Sequence, residues 1–238
     1  MSAPYYYDLH LHSCLSPCGD MDMSVNNIVN MALLKGLQII ALTDHNSCKN
    51  VPAILKAAEK TTLSVLPGME LSTAEDIHCV CLFGTLSDAM AFDEYVHSRL
   101  YPIKNKPEIY GEQVILNEFD EPVGTEELLL VNASAIPIAE VPQLVKRYHG
   151  LVFPAHIDKN AFSILSSLGF IPLEYAFTAV EVYRPEAFFA AERNRRIAAP
   201  YRVVTNSDAH YLWDISEAVR TLSLDSPDFA GVKKALGQ

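Results

Sequence analysis

The sequence predicts an α/β fold, a distorted seven-stranded (β/α) barrel, on two observations. Short β-branched or apolar runs alternate with longer segments of helical period, the pattern of strands joined in parallel by crossover helices. The histidines and acids that could carry chemistry sit just past the ends of those runs, and in a barrel such ends converge on one face. About seven strand and helix pairs suit a barrel better than an open sheet. The 238 residues suffice for one core, so residues 1–238 are read as a single domain.

Taken in order, Tyr5 to Leu9 is the first strand, and Ser24 caps a helix whose apolar positions Val25, Ile28, Val29, Ala32 and Leu33 share a face. Gly36 ends that helix. Leu37 to Thr43 is a continuous apolar run of buried-strand type, followed by a helix from Pro52 to Lys60. Leu63 to Leu66, Ile77 to Phe83 and Leu151 to Pro154 are further strands. Later strands are Ala179 to Tyr183, Arg202 to Thr205 and Val219 to Leu224, with helices at Pro185 to Ile197 and Pro227 to Leu236. Residues 101–138 break the rhythm: Gln113 to Glu118 and Val123 to Glu127 form a hairpin around Phe119–Pro122, in an insertion with the position of a lid.

Composition narrows the function. Half of the residues are hydrophobic and 20% are charged, as in an ordinary globular protein. No apolar run reaches the roughly 18 residues of a membrane span, and the N-terminus lacks a basic start with an apolar stretch, so a cytoplasmic location is expected. The five cysteines, Cys14, Cys18, Cys48, Cys79 and Cys81, are an odd set without a secretion signal and are read as reduced thiols. A formal charge of −11 disfavours extended binding along duplex nucleic acid, leaving small phosphorylated molecules or strand ends as substrates if cations bridge the repulsion.

Asp8-Leu-His10-Leu-His12 closes the first strand, Thr43-Asp44-His45 the second and Gly68-Met-Glu70 the third; Ala155-His156 and Asn206-Ser-Asp208-Ala-His210 follow later ones. One His-x-His has a high chance background, so the weight lies in the sum. His10 and His12 repeat every two residues and share a side of an extended segment, as two ligands of one cation must. Asp208 and His210 repeat that spacing far along the chain. Imidazoles with carboxylates suit zinc, manganese or iron, and the candidates outnumber the three or four protein ligands of one catalytic zinc, so more than one metal is expected.

DLHLHS at 8–13, TDH at 43–45, PGMELS at 67–72, His78, His156 and SDAH at 207–210 together resemble, in order and over nearly the whole chain, the polymerase and histidinol phosphatase (PHP) domain. The resemblance implies a seven-stranded barrel with a trinuclear site. His10, His12, Glu70 and Asp208 would surround one metal, and Glu70 would bridge to a second held by His78 and His156. The third would take His45, His210 and a residue of the loop after His12, where relatives carry Asp or His five or six positions on. This chain has Pro17 and Cys18 there, with Asp20 the nearest carboxylate. Asp20 is preferred and Cys18 is the alternative.

The remaining residues are weighed against plainer roles. Asp8 and Asp44 precede histidines and alternate away from them, which assigns them to supporting hydrogen bonds. Cys79 and Cys81 alternate with His78 and are read as buried thiols. His97 and His149 have sufficient explanations at helix ends. Lys159 and Arg184 are candidates to clamp phosphate oxygens. Arg193, Arg195 and Arg196 are read as a solvated helix face; Glu181 projects from a strand near the site, but pairing with a helix arginine explains it as well, and it is left out of the catalytic set.

The expected activity is hydrolysis of phosphate esters of small metabolites, nucleotides or the 5′-ends of short oligonucleotides by a metal-activated hydroxide held by the cluster ligands, with Asp208 and His210 in the catalytic set. No Gly-rich phosphate loop or Gly-x-Ser-x-Gly nucleophile motif competes with it. The alternative from another class is a non-catalytic metal-binding domain that assists a partner protein, and a third is amide or lactone hydrolysis on a related barrel.

Overall fold

The computed structural model describes residues 2–237. In chain order it contains β1 (Ala3–Leu11), α1 (Val25–Leu34), β2 (Ile39–Leu42), α2 (Val51–Ala58), β3 (Ser64–Ser72), β4 (His78–Leu82), α3 (Leu86–His97), α4 (Pro107–Tyr110), β5 (Val114–Leu116) and β6 (Pro122–Thr125). There follow α5 (Val141–Arg147), β7 (Leu151–Pro154), α6 (Ile164–Leu168), β8 (Ala179–Glu181), α7 (Pro185–Phe188), α8 (Glu192–Ala198), β9 (Arg202–Val204), β10 (Thr221–Leu224) and α9 (Phe229–Ala235).

A curled six-stranded sheet runs β10-β1-β2-β3-β4-β7, beside a parallel β8-β9 pair and the β5-β6 hairpin. The expectation of uniformly parallel strands is corrected. β1, β2 and β3 are parallel, but β4 is antiparallel to both β3 and β7, and β10 is antiparallel to β1. The five residues between Ser72 and His78 are too few for the crossover a parallel neighbour needs, so β3 folds back directly. The predicted helix 185–197 is also corrected: it is two short helices, because Ala191 is extended. Asn194 and Arg195 donate side-chain hydrogen bonds to the carbonyls of Phe188, Phe189 and Ala190 that the break releases.

The helix signals at the start of the chain are met. The Ser24 side chain accepts the Asn27 N–H at the start of α1, and Gly36 ends it at φ +78°, the left-handed region that costs glycine least. Gly68 is required for another reason: a Cβ there would lie 2.8 Å from side-chain atoms of Leu82 and Thr43 and 2.9 Å from the Leu42 carbonyl.

Two apolar layers follow from strand alternation. Tyr7, Leu9, Ile39, Ala41, Leu66, Val80, Phe153, Ala179 and Val204 pack together inside the curl. Met69, Leu71, Cys79, Cys81, Val152 and Val180 face outward onto α1, α2, α3 and α5. Cys79 and Cys81 thus lie on the face away from His78, as alternation requires, and all five cysteines are free. β1 has one irregularity. Its register against β2 shifts between Asp8 and Leu11, so Leu9 faces inward while Leu11 belongs to the outer layer. That shift turns His10 and His12 together toward the inside of the curl at the ends of the strands.

Segment 101–138 packs against the loops at this same end. The hairpin forms as the sequence predicts, and Val114 and Leu116 bury against Cys14. Asn50 bonds the Val114 carbonyl and the Leu116 N–H, and Asn46 donates to the carbonyls of Leu130 and Asn132. Among the described residues, no helix is long and apolar enough to cross a membrane.

Candidate metal centre

Each histidine of the cluster is delivered by a strand end or the turn after it. β1 supplies His10 and His12, the turn after β2 supplies His45, β3 supplies Glu70 and β4 supplies His78. His156 follows β7, and Asp208 and His210 follow β9. His156 and Asp208 adopt left-handed backbone, φ +29° and +53°, as does Asn46 beside His45 at +48°. Non-glycine residues persist in that region only where the surroundings over-determine them, and such strain gathers at functional sites.

Glu70 is the hub. Its carboxylate lies 3.2 Å from His10 Nε2, 3.4 Å from His12 Nε2, 2.9 Å from His45 Nδ1, 3.0 Å from His78 Nδ1 and 3.1 Å from His156 Nε2. Asp208 Oδ1 is 3.1 Å from His12 Nε2 and 3.4 Å from His10 Nε2. All of these side chains are buried except His210, which is partly exposed. Burial pushes the Glu70 carboxyl up, but His78, His10 and His45 together hold it well below the usual carboxylate range. Burial likewise raises Asp208, and His10 and His12 more than reverse it. Desolvation drives His12 well below the ordinary imidazole value, helped by His210 and His45.

The arrangement does not close on itself as a hydrogen-bond network. Nε2 of His10 and Nε2 of His12 face each other at 3.3 Å, and His45 Nδ1, Glu70 Oε2 and His156 Nδ1 are buried without a hydrogen bond of acceptable geometry. The 2.9 Å approach of His45 to Glu70 is therefore close contact without alignment. Orphaned buried polar atoms cost about 1–3 kcal/mol each. Divalent cations would satisfy them, and the mixed nitrogen and oxygen donor set suits such ions. Three overlapping groups have donor atoms within 4.8 Å of one another: His10, His12, Glu70 and Asp208; His45, Glu70 and His78; and His12, His45 and His210. His45 thus reaches Glu70 and His78 as well as His210.

Outer residues fix the rings. His10 donates Nδ1–H to Glu181, at 3.0 and 3.1 Å from its two oxygens, leaving Nε2 for the cluster. Glu181 also accepts the His156 N–H at 2.8 Å and the Asn206 amide at 2.6 Å, and Asn206 accepts the Leu9 N–H. Glu181 therefore has no helix arginine as partner; it orients His10. Sequence reading missed this role, although Glu181 shares its inward parity with Ala179 on a strand whose outer face, Val180 and Val182, is apolar. Asp44 accepts the Ser13 N–H and the Ser13 and Ser16 hydroxyls, and Ser16 Oγ lies 3.0 Å from His12 Nδ1. Asp8 accepts the N–H groups of Ser207 and Ser216. Both aspartates hold loops, as their alternation implies. His210 donates Nδ1–H to the Asp208 carbonyl.

Asp20 is not brought into the cluster. Its carboxylate accepts the Asp22 N–H in a tight turn, and only its backbone N–H reaches the site, on the His210 carbonyl. Cys18 takes the place beside the histidines. As a residue it is exposed, yet it lines one cleft with His45 and His210; burial would raise its thiol, and those imidazoles pull it down to about 6. Lys159 is ion-paired to Asp208 and lies over the Tyr183 ring. A cleft of about 270 Å³ is lined by Cys18, His45, Glu70, His78, His156 and Lys159 among others. Arg184 lies outside it, in an adjoining groove that shares Asp208 and also holds Arg220. His97 and His149 lie apart, near Glu126 and Asp88, and Arg196 pairs with Glu192 on an exposed helix face.

Over 79 residues the chain is 33% identical to a 5′-3′ exoribonuclease of Haemophilus influenzae, a match covering 32% of this chain and 28% of that protein. Its fold is similar to the lesion-specific endonuclease EndoQ of Pyrococcus furiosus, with a TM-score of 0.69 and 18% identity over 98% of this chain and 56% of that one. Endonuclease Q has also been solved with a 27-mer duplex carrying an abasic lesion at its active site, at a TM-score of 0.68. A protein of Bifidobacterium adolescentis described as a metal-dependent phosphoesterase has a TM-score of 0.61 and 17% identity, covering 99% of this chain and 97% of its own. The chain thus spans little more than a quarter of the curated relative it matches and just over half of the endonuclease. The PHP domain model matches residues 8–166, more than half of the chain and the stretch that holds His10, His12, His45, Glu70, His78 and His156, and the chain belongs to the PHP domain family.

Proposed function

We propose that the chain is a metal-dependent phosphoesterase. The observation that carries this reading is the convergence of five imidazoles on the buried Glu70 carboxylate, with Glu70 Oε2 and His45 Nδ1 left without a hydrogen bond. Three cations of zinc, manganese or iron type are proposed. His10, His12, Glu70 and Asp208 would hold one, Glu70, His78 and His156 a second, and His45, His210 and Cys18 a third. Cys18 replaces Asp20 in this assignment because Cys18 lines the cleft with both imidazoles, whereas the Asp20 carboxylate is turned to the Asp22 N–H.

Bound divalent cations supply Lewis acidity at phosphorus and acidify water there. The protein's own groups prepare the rest. Glu181 fixes the His10 tautomer, Ser16 and Asp44 position His12, and the Asp208 carbonyl fixes His210. Lys159, whose ammonium is favoured by Asp208 against the cost of burial, is placed to bind a phosphate oxygen. Arg184, one groove away, would contact a group farther along the substrate.

Residues 1–238 are read as one domain in which β1, β2, β3, β4, β7, β8 and β9 form a distorted seven-strand ring. Two contacts support the ring: Ile157 N–H bonds the Glu181 carbonyl, and Leu11 bridges Ala209. Segment 101–138 acts as a wall of the cleft, to which it contributes Val131. The charge of −11 assigns phosphate recognition to the cluster, with strand ends and small phosphorylated molecules as substrates.

The test is phosphate release from nucleotides, 5′-phosphorylated oligonucleotides and a duplex arm, by protein loaded with manganese, iron or zinc, beside an Asp208→Ala, His210→Ala control. Metal-dependent release that the control loses is expected. Metal binding without turnover on every substrate would overturn the reading in favour of a binding domain that assists a partner.

A further inference from the structure

We infer that Phe162 is a stacking platform for an aromatic base attached to the phosphate, so that the substrates are nucleotides or nucleic-acid ends and not sugar or amino-alcohol phosphates. The inference rests on the phosphoesterase reading and names the substrate class of the same site.

The loop from β7 to α6 carries three residues that line the cleft: His156, Lys159 and Phe162. Phe162 adopts φ +57°, a region that a bulky aromatic residue rarely enters. Two anchors hold it there. The Phe162 carbonyl accepts the His78 N–H at 2.9 Å, and the next residue, Ser163, caps α6 and bonds back to the Lys159 carbonyl at 2.7 Å.

The held conformation lays the ring flat on His78, with centroids 4.9 Å apart and planes 16° from parallel. The His78 ring is itself fixed by Glu70 through Nδ1. One face of Phe162 is thus covered by an imidazole of the cluster, while the residue as a whole stays 50% exposed. A phenylalanine needed for packing is treated differently in this chain: Phe83, Phe92 and Phe153 are fully buried. Strain at a loop tip combined with a half-open aromatic ring beside the phosphate site is the arrangement that accepts the π-face of a base. Such stacking tolerates any base, because every base has a π-face.

Metal content, thermal midpoint, calorimetric binding and phosphate release would be compared for the wild type, Phe162→Ala and Phe162→Trp. The two probes are adenosine 5′-monophosphate and ribose 5-phosphate, which differ only in the base. The wild type is expected to bind the nucleotide about tenfold more tightly than the sugar phosphate. Phe162→Ala should raise Kd and KM for the nucleotide about tenfold, leaving kcat, metal content and the sugar phosphate unchanged, and Phe162→Trp should restore the preference. Equal losses on both probes, or a wild type without preference, would overturn the inference. If neither probe releases phosphate the phosphoesterase reading fails for this class of substrate, and the calorimetric preference still decides the platform on its own.

Discussion

Residues 2–166 and 167–237 contribute to the same cluster by different means. The first region holds nine-residue strands, β1 and β3, backed by α1, α2 and α3, and delivers proposed ligands directly from strand ends. The second has strands of three or four residues and helices of no more than seven, yet it supplies Glu181, Asn206, Asp208 and His210. It can do so because the first region holds it in place. Asp8 grips the Ser207 and Ser216 N–H groups, Leu9 donates to Asn206, His12 donates to the Ala209 carbonyl and Asp20 to the His210 carbonyl. Precision in the second region therefore comes from hydrogen bonds across the fold and not from its own regular structure.

The sharpest way to separate the two contributions is to remove one carboxylate from each. Glu70→Gln should lose more metal, by elemental analysis, than Asp208→Asn, because five imidazoles border Glu70 and three border Asp208. Both should lose more than the roughly 10–100-fold that removal of an outer orienting group costs. Equal retention of metal in Glu70→Gln would break the hub assignment.

The bracing itself is tested by Asp8→Asn and Glu181→Gln, neither of which removes a proposed ligand. Metal affinity should weaken about 10–100-fold in each, by competition with a chelator. An unchanged affinity in Asp8→Asn would mean that the second region holds its loop unaided.

A smaller effect distinguishes two residues of the loop after His12. Cys18→Ser should abolish a thiolate-to-metal charge-transfer band in cobalt-loaded protein, whereas Asp20→Ala should keep it. A band unaffected by the serine would return the position to Asp20.

The smallest effect lies in the second region, away from the site. Asp228 caps α9 by accepting the Gly231 N–H, so Asp228→Ala should cost about 1 kcal/mol in denaturant melts. That hydrogen bond, followed by one from Ser226, holds the carboxyl below the ordinary Asp value of 3.8. A depressed carboxyl stabilises above its unfolded value and loses that contribution as pH falls through the folded one. The difference between wild type and variant should persist from neutral pH to about 4 and shrink below it.

The same contrast explains what the sequence disclosed. Ser24, Gly36 and the apolar runs of β2, β4 and β7 are local signals, and they located their elements closely. The motifs whose histidines and acids converge in the cluster were legible for the same reason, being short and placed at strand ends. What was hidden depends on distant partners. The pairing of Glu181 with His10 spans 171 residues, and the turn that diverts Asp20 becomes evident only once the loop is folded. The antiparallel course of β4 was readable in principle, since the linker before it is too short for a crossover. The left-handed backbone at Phe162 has no residue-level signal, whereas His156 and Asp208 are of types that enter that region more readily.

The strand β1 pairs on one side with β2, some thirty residues later, and on the other with Leu224, Ser223, Leu222 and Thr221, with Ala209 bridging Leu11. During synthesis its second edge has no partner until residues 209–224 have left the ribosome, so a buried-type strand carrying His10 and His12 presents bare backbone groups until then. The candidate metal centre therefore closes only after residues 209–224 are made, and the interval before that closure is when the chain is most exposed to mispairing with other chains.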